Sequence, residues 1–168
     1  GYYNIANQHM QAVQANFDYA MPLSRFGLSR DAGTVEVRGN FTHYVKNNQT
    51  YLGSTYYKTG DTSNPSNLMT LNLNYYRGPL SFQWQTVYYG KSVYALQVPA
   101  TAYEANNRPA FAYFNATFGY KITKNIDANF MINNITDALP KYPGTVSLTR
   151  YYEAILGRSF QLNIGAHF

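Results

Sequence analysis

The side chains able to do chemistry in this sequence are few and scattered. Eight carboxylates and three histidines are spread over 168 residues, and cysteine is absent. Disulfides and thiolate metal sites are therefore excluded. His9, His43 and His167 are widely separated, without the spacing of a metal ligand set. No nucleophile elbow, glycine-rich phosphate loop or paired-acid motif is present. An enzyme reading has no residue to rest on, and neither a cofactor nor a metal is expected.

Tyrosines and arginines offer binding chemistry instead. Tyr51, Tyr56, Tyr57, Tyr94, Tyr103, Arg108, Arg150, Tyr151 and Tyr152 lie in or beside three polar, Tyr-rich stretches, at about 47–66, 91–109 and 136–157. Aromatic rings with cations suit catecholate, aromatic or sugar ligands. The plainer reading of the same residues is tyrosines anchoring a membrane rim or packing loop on loop. Glu36 and Arg38 share one strand face, as a contact to something inside or as a wall-side ion network. Four Asn-X-Thr sequons begin at Asn40, Asn48, Asn115 and Asn134, and follow from an Asn- and Thr-rich composition.

Composition narrows the class. Aromatic residues make up 17%, including 18 Tyr, while charged residues are only 12%, about half the share of a soluble domain. No apolar run approaches the length of a transmembrane helix. The formal charge is +5, but no basic run of five exists, so nucleic acid is not an expected partner. Loop cations facing anionic lipopolysaccharide or an acidic ligand fit better, beside the default of a solvated surface. No signal peptide is visible and the chain begins at Gly1 without Met, so it is expected to be either processed or part of something longer.

The elements that position these residues are strands. Strict two-residue alternation recurs about seven times. Val13, Ala15, Phe17, Tyr19 and Met21 oppose Gln14, Asn16 and Asp18; Val35, Val37, Gly39, Phe41 and His43 form the second series. Met69–Tyr75, Leu80–Tyr88, Phe114–Tyr120, Ile126–Ile132 and Phe160–Phe168 follow. The chain is therefore all-β. The polar faces carry Asn, Gln and Thr, which suit a confined wet interior, while Phe, Leu, Ile and Trp line the other faces. An antiparallel up-and-down transmembrane β-barrel has this character. Short connections ("RGPL", "KITKNI", "SRFGLSRDAG") alternate with the three long stretches, and strands of about 9–11 residues suit a tilted crossing of the hydrocarbon. Seven strands put the two chain ends on opposite sides, whereas single-chain bacterial barrels have even counts. The expectation is a partial barrel.

Three segments carry a family resemblance. "FMINNITDALPKY" resembles the penultimate strand and turn of TonB-dependent outer-membrane receptors, with Ile135 and Thr136 where that family tends to have Leu and Phe. "GRSFQLNIGAHF" is similar to their closing strand, and "YYRGPLSFQWQTVYYGKS" to an earlier hairpin. The resemblance implies that residues 1–168 are the C-terminal part of a plugged barrel of about 22 strands, with the plug domain and upstream strands absent from this chain. It implies energy-coupled import of a scarce nutrient (iron-siderophore, vitamin, sugar or aromatic compound) across the bacterial outer membrane. Its partners would be outer-membrane lipid and lipopolysaccharide, the remaining barrel and plug, the energy-coupling TonB protein, and the barrel assembly machinery. That machinery would read Phe160, Leu162, Ile164 and Phe168. Two alternatives stand beside it. One is a complete barrel of about eight strands, residues 1–10 donating the extra strand, with a structural or adhesion role. The other is a secreted sugar-binding β-sandwich.

Overall fold

A computed structural model describes residues 6–62, 64–94, 96–97, 99–102, 106–139 and 156–167. Seven strands form one antiparallel meander: β1 (Ala6–Pro22), β2 (Thr34–Tyr51), β4 (Asn67–Arg77), β5 (Leu80–Tyr89), β8 (Phe111–Lys121), β9 (Ile126–Asn133) and β10 (Ser159–Ala166). The short β3 (Ser54–Tyr57) folds back on the end of β2, and β6 (Ser92–Val93) pairs with β7 (Asn107–Arg108) in a separate two-stranded ribbon. No α-helix occurs among the described residues. The main sheet is open, with β1 and β10 as its edges.

Register turns seven alternating sequences into one two-faced surface. One rank runs Tyr19, Val37, Leu73, Trp84, Ala116, Ile132, Phe160, and the next runs Met21, Val35, Tyr75, Phe82, Phe118, Phe130, Leu162. Because side chains alternate across a strand, slipping any pair by one residue would mix the faces. Rings meet across neighbouring strands: Phe82 and Phe118 at 5.0 Å, Trp84 and Phe114 at 5.5 Å, and Phe130 stacked on Phe160 at 6.2 Å. The Trp84 indole donates to Thr86 Oγ1 at 3.1 Å, so its polar atom is satisfied within the apolar face. Phe17 lies over Gly39, where a Cβ would come within 2.0 Å of the ring; this covers a glycine with a cross-strand aromatic.

Burial is inverted relative to a water-soluble fold. Among the described residues the buried apolar side chains are Pro65, Tyr113 and Ala116, whereas the buried polar ones include Thr42, Asn47, Asn74, Ser92, Arg108 and Asn134. Phe17, Phe41, Leu73, Phe118, Phe130, Phe160, Leu162 and Ile164 are exposed. Among the described residues the sheet has no packed apolar core and no second sheet covers its apolar face.

Three sequence expectations need correction. Strands of 9–11 residues hold for β4, β5 and β8, but β1 has 17, β2 has 18, and β9 and β10 have 8 each. The stretch 47–66 is not wholly loop: β2 continues to Tyr51, turns at Leu52 and Gly53, both at positive φ, and returns as β3. The described part of residues 1–10 supplies no strand of its own, because Ala6–Met10 extend β1 against Asn47–Tyr51. The cause is a β-bulge at Val45, where Gln11 pairs with Lys46 and Ala12 with Tyr44. One extra residue on β2 restores pairing while breaking the alternation that marks a strand in sequence.

Candidate functional site

Beyond the bulge the apolar face ends. Val13 opposite His43 is followed on that face by Gln11 opposite Lys46, His9 opposite Asn48 and Asn7 opposite Thr50. The long ends of β1 and β2, with β3, form a small projecting sheet that is polar on this side. Asn47 holds its base together. Gln8 Nε2 donates to Asn47 Oδ1 at 2.9 Å, the Lys58 amide to Asn47 O at 2.8 Å, and the Asn47 amide to Thr59 Oγ1. Gln97 Nε2 donates to Thr55 O at 2.9 Å and ties the next connection to β3.

The candidate ligand residues divide accordingly. Tyr51 and Tyr56 share the face continuous with the polar side of the sheet, and Tyr57 points to the other. Tyr94 and Arg108 come together, the guanidinium 5.7 Å from the ring centroid, within cation–π range. Their backbones are fixed by the Val93 amide on Gly60 O at 2.7 Å and the Tyr94 amide on Asn106 O at 2.8 Å. Arg108, but not Tyr94, lines a cavity of about 840 Å³ together with Thr59, Ser66, Lys91 and Leu96 among others. The hairpin tyrosines are not part of its lining. Tyr103, Arg150, Tyr151, Tyr152 and Phe168 lie outside the described residues.

The polar face is a connected amide lattice. Asn115 Nδ2 donates to Gln85 Oε1 at 2.9 Å, and Gln85 Nε2 to Asn72 Oδ1 at 3.1 Å. The lattice joins β8, β5 and β4 through side chains that donate and accept at once. On β1 and β2, Arg38 bridges Asp18 at 2.9 Å and Glu36, and Glu36 Oε2 accepts from Asn74 Nδ2 at 3.2 Å. Glu36 and Arg38 thus make an ion and amide network along the polar face of the sheet.

Two anchors hold the last strands, and alternation alone does not reveal either. Asn134, fully buried at φ 50°, closes a turn: its amide donates to Asn115 Oδ1 at 2.9 Å, its Nδ2 to Ala138 O at 2.8 Å, and its Oδ1 accepts the Ala138 amide at 2.9 Å. Asp137, at φ 52°, accepts the Arg158 amide at 2.7 Å and so joins this turn to the start of β10. Asn and Asp tolerate the left-handed region by bonding locally, which explains both residue types. The sequon at Asn134 is therefore structural. At the other end of β10, Asn125 Nδ2 donates to His167 O at 2.7 Å, the His167 amide to Asn125 O at 2.8 Å, and His167 Nε2 to Asp127 Oδ1 at 3.0 Å. Phe160, Leu162 and Ile164 lie side by side, over 60% exposed, on the apolar face.

Among the described residues no three His, Asp or Glu side chains gather as a metal site would need. No helix there is long and apolar enough to cross a membrane, which leaves crossing by strands untouched. No family model matches this chain, and no curated protein or solved structure matches it either.

Proposed function

We propose that this chain is wall of a transmembrane β-barrel in the bacterial outer membrane, and specifically the C-terminal barrel segment of a TonB-dependent receptor that imports a scarce nutrient. The observation that carries the membrane reading is the inverted burial: an apolar face to which each of the seven strands contributes exposed side chains, with buried, hydrogen-bonded Thr42 and Asn74 on the opposite face. Bulk water would penalise that arrangement, whereas hydrocarbon outside and a hydrated bore inside favour it.

The height of the apolar band supports the same reading. At its upper margin His43 Nδ1 donates to Asn67 Oδ1 at 2.8 Å; at the lower, Arg77 Nε donates to Asp31 O at 3.0 Å. Asn67 and Arg77 bound β4. Ten steps of about 3.4 Å make about 34 Å along the strand, and a tilt of about 40° projects this to about 26 Å, near the band of about 25 Å in such barrels. The projecting sheet and the cavity lined by Arg108 would then stand on the outer side, where the substrate arrives. The open edges favour a partial wall over a complete small barrel: β10 has 8 residues against 17 in β1, so neither edge matches the other. The assignment to the receptor family rests on the sequence resemblance, with Phe160, Leu162, Ile164 and Phe168 as the signal for assembly.

The chain lacks cysteine, so single-Cys spin labels along β4 test the membrane reading. In outer-membrane vesicles, labels at positions 69, 71, 73 and 75 should collide with oxygen. Labels at 70, 72 and 74 should collide with a water-soluble nickel chelate. Absence of this two-residue period would overturn the reading. Uptake by cells lacking the parent gene, with and without the energy-coupling protein, tests the transport assignment.

A further inference from the structure

At the end of the sheet carrying the short turns, a groove of about 290 Å³ opens on the apolar face between Tyr75, Leu80, Phe82, Phe118 and Tyr120. Its lining is almost wholly apolar. Arg77 lies on the same face at its margin, directly opposite Leu80, which in turn pairs with Tyr120. The guanidinium is exposed and tethered through Nε to the Asp31 carbonyl. That tether orients the planar fork and leaves its terminal nitrogens for a second acceptor, the geometry that suits a phosphate.

Other cations gather at this end. Arg25 and Arg30 flank the exposed Phe26 and Leu28 in the β1–β2 connection. Lys121 and Lys124 lie in and beside the turn that meets the Gly78–Pro79 turn, the Lys121 amide donating to Pro79 O at 2.9 Å. Against these five cations stand two carboxylates, Asp31 and Asp127. Asp127 is already engaged by Asn129 and His167 on the polar side. An apolar slot with a tethered arginine at its mouth, in a cationic surround, matches an amphiphile with an anionic head. The surrounding cations disfavour a head that adds an ammonium to its phosphate.

We propose that this end binds an anionic glycerophospholipid of the adjoining leaflet, its phosphate on Arg77 and an acyl chain along the Phe82–Phe118 groove. The proposal rests on the bilayer reading above. Trp84, two residues from Phe82 on the same face, reports on it. In bilayers containing protein whose only tryptophan is Trp84, quenching by brominated phosphatidylglycerol is compared with brominated phosphatidylcholine at equal mole fraction. About a fivefold preference for the anionic lipid is expected, the factor that one cation near an anionic surface contributes. It should fall to about one in Arg77→Gln and be kept only in part in Arg77→Lys, which retains the charge but not the tethered fork. Equal quenching by both lipids in the unsubstituted protein, or a preference unchanged in Arg77→Gln, would overturn the lipid site while leaving the bilayer reading intact. No quenching by either lipid would overturn both.

Discussion

Placing arginine at Leu73 separates the membrane reading from an aqueous one, because the two give opposite answers. Leu73 is central on β4, flanked on the apolar face by Val37 and Trp84, and 37% exposed. If hydrocarbon covers that exposed part, Leu73→Arg moves a guanidinium into the middle of the band with no partner on its face. The cost at such a depth is about 2–4 kcal/mol, or about 30- to 700-fold in the folding equilibrium. If water covers it, the same change removes exposed apolar surface and should stay within about 0.5 kcal/mol. Gln83→Arg is the control, one residue from Trp84 on β5 but exposed on the polar face. The assay is reversible denaturant unfolding in phosphatidylcholine vesicles, on protein able to close its barrel. Leu73→Arg should lower stability by the full amount and Gln83→Arg by less than about 1 kcal/mol. A Leu73→Arg protein as stable as the unsubstituted one would refute the reasoning, because no lipid-facing position at that depth escapes the charge penalty.

Two further substitutions probe the turns. Asn134→Ala combines left-handed backbone strain with loss of both hydrogen bonds to Ala138, about 2–5 kcal/mol together. Asn134→Gly should recover the strain part and leave about 1–3 kcal/mol, a difference read in the same unfolding assay. Gly33→Ala should be poorly tolerated: φ is +97° and a Cβ would lie 2.3 Å from Tyr76 O. Gly53→Ala, at φ +81° with nothing within 4 Å, should show only the backbone part, about 1–3 kcal/mol. Equal losses at positions 33 and 53 would show that the close approach to Tyr76 is relieved without cost.

How much of this was legible in the sequence depends on whether the information was periodic. The seven strands and the sorting of Phe17, Leu73, Trp84 and Phe130 away from Asn72 and Gln85 followed from alternation, because register in a meander preserves it. The extension of β1 and β2 did not. Past Val45 both sides of the ribbon are polar, and the bulge shifts the phase, so Asn47–Tyr51 look like loop. The Asn134 turn escaped for a different reason. Its logic is a pair of positive φ angles closed by amide bonds, and a sequon-like Asn-Ile-Thr carries no trace of that. The pairing of Tyr94 with Arg108 needed the β6–β7 ribbon, whose two-residue strands are too short to show a period. Tyr51 and Tyr56 were recognisable as candidates, but only the hairpin shows that they share a side with each other and not with Tyr57.

If lipid meets the apolar face, the extra residue at Val45 works as a depth gauge. Below it the ribbon's outward side chains are those a lipid tail accepts; just above, Lys46 is the first that only water or a headgroup can meet. Pairing that residue regularly, in place of the bulge, would set Val45 opposite Gln11, bring Asn47 and Gln49 to the outward side and turn Lys46 toward the bore. The outward side would then lose its first charge, and the wall would lose the mark that stops it from sliding deeper.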